Sequence, residues 1–135
     1  MIWFYLLSGL FLGWSLGAND AANIFGTAVT TQMVKFRVAA VVATLFVVLG
    51  AVVAGSGATE TLGELGAVNA IAGSFTVALA AGFTVSWMTR LAIPVSTTQA
   101  IVGAIIGWNL FTGFPTNIAS LAKIVITWVA SPVIA

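Results

Sequence analysis

The chain has 135 residues, 61% of them apolar and 5% charged, with four basic and three acidic side chains, no Cys and no His. Soluble domains carry about 25% charged residues, so this composition could not cover a water-facing surface, and its hydrophobicity equally excludes disorder. The four cations do not cluster, which excludes nucleic-acid binding, and without His or Cys the usual general base, thiolate nucleophile, disulfide and soft metal ligand are all missing. What remains is an all-α integral membrane protein.

Charge-free runs cover 1–19, 38–59, 65–89, 91–122 and 124–135. A spanning helix needs about 20 mostly apolar residues, so the chain holds four or five membrane segments. The first 17 residues lack a basic flank and a small-residue cleavage site, and read as mature structure, not as a signal peptide. Lys35 and Arg37 follow the first segment. A Gly/Thr-rich stretch with Glu60 and Glu64, read as a loop over 55–66, follows the second, and Arg90 follows the third. Basic loops favour the cytoplasm, so Lys35, Arg37 and Arg90 belong on one side and the 55–66 stretch on the other. Lys123 lies within the last apolar run and either snorkels or marks where that span begins. Gly9, Gly13 and Gly17, and likewise Gly103 and Gly107, recur every four residues, a spacing that predicts close helix packing.

Two stretches break the apolar pattern. In the first, Asn19, Asn23 and Thr27 are spaced i, i+4, i+8 and form one polar stripe, with Asp20 beside it. A carboxylate in a membrane segment costs roughly 2.5–3.5 kcal/mol on insertion scales, and it persists where it faces a protein interior or a wet cavity. Gly17-Ala18 just before it predicts a loosened, broken helix with exposed carbonyls. In the second stretch Pro94 ends whatever precedes it, and Ser96 is placed as an N-cap with Thr97, Thr98 and Gln99 in the first turn. Free N–H groups and the positive end of the helix dipole, with added hydroxyls, make such a terminus suited to an anion. The region 91–113 fits either a re-entrant hairpin or a full span. Asn69, Asn109 and Asn117 stand singly in apolar surroundings and suggest no role.

At these residues the chain resembles a known family. Gly17-Ala-Asn-Asp-Ala-Ala-Asn-Ile-Phe-Gly-Thr27 resembles the first signature of the inorganic phosphate transporters of the PiT type, and Pro94-Val-Ser-Thr-Thr-Gln-Ala-Ile-Val-Gly103 resembles the second. The Trp128–Pro132 stretch is similar to a further family element. The resemblance implies secondary transport of inorganic phosphate coupled to Na⁺ or H⁺ across the plasma membrane, with no cofactor. It implies a transporter of two inverted repeats, each carrying one pair of signatures. Both signatures occur once here, and the echo at Val68–Ser74 is weak. Residues 1–135 therefore read as a single repeat, the N-terminal half of such a transporter or a half-size subunit, which needs a second, inverted repeat from a missing C-terminal half or from a partner chain. Carried over by motif, Asp20, Asn23, Ser96, Thr97 and Thr98 would bind phosphate, and Asn19, Asn23 and Thr27 would hold sodium. Gln99 stands where the family usually has His, which removes a proton relay at that position. A small channel-like or structural membrane subunit is the competing reading. An enzyme is not, because no acid–base pair can be assembled and Ser56 has no His partner.

Overall fold

The computed structural model describes residues 2–66 and 71–134, and among these the regular structure is helical throughout: α1 (Ile2–Thr30), α2 (Phe36–Gly63), α3 (Ile71–Arg90), α4 (Thr97–Thr112) and α5 (Ile118–Ile134). Asn69 and part of the Val68–Ser74 echo lie outside the described residues. Two of these helices contain stretches long and apolar enough to cross a membrane, Phe36–Gly57 and Ile71–Arg90, and α5 is a shorter apolar helix.

The central element is α3, which buries Gly73, Val77, Ala81, Gly82 and Val85. It is buried on two sides because small residues let two neighbours approach. On one side, a Cβ added at Gly82 would meet the Phe11 ring at 2.9 Å and the Leu12 Cα at 3.2 Å, so α1 lies against bare backbone there. On another, Gly73 meets the Trp108 indole of α4. Phe75 stacks on Phe4 at 5.1 Å, Gly82 faces Phe11 and Leu12, and Thr89 bonds to Asn19. These pairs keep a nearly constant offset in number, so α1 and α3 run parallel and in register. In contrast α4 is antiparallel to α3, since Trp108 near its end meets Gly73 near the start of α3.

A second cluster joins the far end of the bundle. Leu65, Val77, Val102, Ile105 and Ile124 bury against one another, with Leu121 and Trp128 of α5 packed on them. The apolar face of α2 stays open: Val41, Leu45, Phe46 and Val52 are all exposed. An apolar exposure of this extent fits lipid or further protein and not water.

Three expectations need correction. The helix does not break at Gly17-Ala18, because α1 is continuous from Ile2 to Thr30; its Gly loses little there, since the hydrogen-bond ladder simply continues. The stretch read as a loop over 55–66 is helical to Gly63, with Thr59 and Thr61 donating to the carbonyls of Gly55 and Gly57. The glycines in four-residue register do not pack within the chain: a Cβ at Gly9, Gly13, Gly17, Gly103 or Gly107 would meet nothing within 4 Å. For the basic residues the fold gives a direction and not a shared level. Lys35 follows the C-terminal end of α1, whereas Arg90, next to the Thr89 that bonds to Asn19, is level with a point eleven residues before that end.

Candidate functional site

The site begins where α3 stops. Leu91 N–H donates to Trp87 O, Ala92 N–H to Thr89 O and Ile93 N–H to Met88 O, a closing pattern that turns the chain back on the helix end. This turn needs a left-handed residue, and Ala92 supplies it at φ 56°. Ile93 precedes a proline and is held out of the helical region, which carries the chain in extended form to Ser96.

Ser96 caps α4 as its sequence predicts. Its φ and ψ are −81° and 117°, and its hydroxyl accepts from Gln99 N–H at 3.3 Å. Ala100 N–H donates to Ser96 O at 3.0 Å. The N–H groups of Thr97 and Thr98 are thereby left at the open end of the helix. A hydroxyl that accepts a cap bond still has its own proton to donate, so Ser96 can serve both the helix and a ligand.

The polar stripe of α1 reaches this terminus through one side chain. The Asn19 amide, 4% exposed, donates to the Asp20 carboxylate at 3.0 Å and to the carbonyl of Val95 at 3.1 Å. Its oxygen accepts from the Thr89 hydroxyl at 3.2 Å. Two acceptors fix the nitrogen end of the amide, and a donor takes the oxygen, so its orientation is determined from both ends. Val95 is the residue immediately before the Ser96 cap. Asn19 therefore joins the carboxylate of the first motif to the backbone that opens the second.

Asp20 and Thr97 are partly exposed, while Asn23, Thr27, Ser96 and Thr98 are exposed. No described side-chain hydrogen bond ties Asn23 or Thr27 to Asp20 or to the α4 terminus. Of the three residues carried over as sodium ligands, Asn19 already has its amide oxygen engaged by Thr89. Among the described residues no group of three or more His, Cys, Asp or Glu could hold a metal ion.

Thr89 and the Val95 carbonyl had no local signal in the sequence, because the bonds that give them a part join positions 70 and 76 residues apart. Asn109 and Asn117 also acquire work. Asn109 is fully buried and donates to Leu65 O and to Thr116 Oγ1, while Asn117 N–H donates to that same carbonyl at 3.1 Å. The Asn117 side chain caps α5 by accepting from Ala119 and Ser120 N–H, and Ser120 donates to Glu64. These bonds lock the 64–66 corner between α4 and α5, at the other end of the bundle. Beside the Asn19 junction, a half-open cleft of about 190 Å³ runs between α1 and α3, lined by Trp14, Ser15, Ala18, Ser86, Thr89 and Arg90.

Residues 16–135 match the phosphate transporter family. Among curated relatives, a Methanocaldococcus jannaschii protein that carries the name phosphate permease is 35% identical over 134 residues, which is 98% of this chain and 43% of that one. A Plasmodium falciparum protein named sodium-dependent phosphate transporter is 33% identical over 156 residues, covering 100% of this chain and 22% of its own. A Haemophilus influenzae protein, again carrying the name phosphate permease, is 31% identical over 147 residues, with 100% and 35% covered. The chain thus spans less than half the length of each of these relatives. No solved structure matches it.

Proposed function

This chain belongs to the phosphate transporter family, a family of membrane transporters and not of enzymes, and from that premise we propose that it carries inorganic phosphate across the plasma membrane by cation-coupled secondary transport. In this reading residues 1–135 form one repeat, and a second, inverted repeat completes the site from the other side. The observation that carries it is the Asn19 amide, which bonds to Asp20 and to the carbonyl opening the Ser96-Thr97-Thr98 terminus. Two motifs separated by more than 70 residues meet at one polar junction inside an apolar bundle.

The depth of the junction supports the same reading. From Asn19 to the end of α1 at Thr30, eleven residues rise about 16 Å. The most apolar stretch, Phe36–Gly57, begins just past that turn. A span started there would put Asn19, Asp20 and the α4 terminus roughly halfway through a hydrocarbon core of about 30 Å. With 16 residues, α4 reaches only about 24 Å, short of a full crossing, which favours the re-entrant reading of 91–113 over a full span. Half-helix termini near the midplane are how secondary transporters hold anionic substrates.

Phosphate would be held by the N–H groups and hydroxyls of Thr97 and Thr98, the Ser96 hydroxyl, Asn23, and Asp20 where the anion presents a proton. The coupling ion is Na⁺ or H⁺. Sodium is favoured, because one relative is named for it and Gln99 offers no titratable relay. Thr27, Asn23 and the free lone pair of Asn19 are its candidate ligands.

Uptake of labelled phosphate into cells expressing the complete gene product, in a host stripped of its own phosphate importers, tests this. Accumulation above the external level that collapses when Na⁺ is replaced by choline supports sodium symport. Accumulation abolished only by a protonophore supports H⁺. Equilibration without accumulation would make the protein channel-like.

A further inference from the structure

Several helical threonines of this protein share a habit from which Thr89 departs toward another helix. Thr44, Thr59, Thr61, Thr76, Thr84 and Thr127 each donate their hydroxyl to the carbonyl four residues back, at 2.8–2.9 Å. Thr89 lies in the last turn of α3, and its hydroxyl donates to the Asn19 amide oxygen on another helix instead. Without this bond the buried Asn19 oxygen would be left unsatisfied, and its amide could turn away from Val95 and Asp20.

We infer that Thr89 is a positioning residue for substrate binding. Its hydroxyl holds the Asn19 amide nitrogen toward the Val95 carbonyl and the Asp20 carboxylate, which sets the α4 terminus and the acid against one another. The inference rests on the phosphate reading for its functional consequence, but the tie itself exists without substrate. Val at position 89 keeps the shape and removes the donor, whereas Ser keeps the donor and loses a methyl group.

The complete transporter is compared as wild type, Thr89→Val and Thr89→Ser, each normalised to its amount in the membrane. Thr89→Val is expected to raise the phosphate KM by about three-fold or more, the size of one neutral hydrogen bond, with Vmax within about two-fold of wild type. Thr89→Ser should restore KM. Amide hydrogen exchange, measured without phosphate, gives a second readout: residues 95–100 should exchange faster in Thr89→Val and at the wild-type rate in Thr89→Ser. An unchanged KM in Thr89→Val, or a serine variant as impaired as the valine one, overturns the positioning role. So does a fall in Vmax alone. If the wild type takes up no phosphate, the transport reading fails. Faster exchange at 95–100 then still supports the tie, and unchanged exchange refutes it.

Discussion

Asn19 in the middle of α1 donates to the carbonyl of Val95 at 3.1 Å, across 76 residues of chain. A side-chain amide gripping the peptide just before a helix cap fixes where that helix starts, because the cap residue can move only with the peptide it is bonded to. The open N–H groups of Thr97 and Thr98 are thereby held in place relative to Asp20.

If those N–H groups and hydroxyls receive phosphate, Thr97→Val and Thr98→Val each remove one charge-assisted donor at nearly constant volume. A hydrogen bond to a charged group is worth roughly 1.5–3 kcal/mol, so apparent phosphate affinity should fall about ten-fold or more per substitution. Phosphate concentration series on the complete transporter measure it. Two variants with wild-type affinity would leave Ser96-Thr97-Thr98 as an ordinary capped helix start.

Asp20 should sort phosphate from sulfate. One of its oxygens accepts from Asn19 and the other is free to accept from a ligand. Near neutral pH inorganic phosphate keeps at least one proton, because its third ionisation, which removes the last one, lies far above neutral, whereas sulfate has none to offer. Asp20→Asn should therefore weaken phosphate uptake and at the same time raise the ability of sulfate to compete. Sulfate competition against labelled phosphate in both proteins is the measurement. Wild type that is inhibited equally by both anions rules this role out.

Packing at Gly82 predicts a contrast between two glycines. Gly82→Ala drives a methyl group into the Phe11 ring and the Leu12 backbone, and only the ring can give way. Overpacking of this kind costs about 1–3 kcal/mol. Gly13→Ala meets open space and should leave stability unchanged or slightly raised. Thermal unfolding in detergent should separate the two variants in that order.

Ala92 occupies a left-handed position at φ 56°, where a Cβ costs roughly 1–2 kcal/mol. Ala92→Gly should relieve most of that strain, partly offset by the larger entropy of glycine in the unfolded chain, and stabilise by up to about 1 kcal/mol. The same unfolding assay reads it. A lower midpoint would mean that the Ala92 methyl makes a packing contribution that exceeds its strain.

Composition alone determined the membrane class, and local chemistry determined much of the rest. A cap such as Ser96 acts within three or four residues, and Pro94 acts on its immediate neighbour, so both were legible without knowing what surrounds them. The two signature motifs likewise lie in contiguous sequence, and they carried the family. What the tertiary structure decided are relationships between helices. Nothing in the spacing of Gly9, Gly13 and Gly17 distinguishes them from Gly82, yet only Gly82 has a neighbour's backbone against it, because contact depends on how α1 and α3 are rotated and slid past one another. The continuity of α1 through Gly17 has a similar origin: one glycine weakens a helix by about 1 kcal/mol relative to Ala, which a long hydrogen-bonded ladder packed on α3 outweighs. Asn19 was visible as a polar residue in an apolar helix. That its amide faces Val95 and Thr89 follows from a parallel α1–α3 register offset by about 70 residues, and a register of that kind is set by the summed packing of both helices, which no short stretch of either one contains.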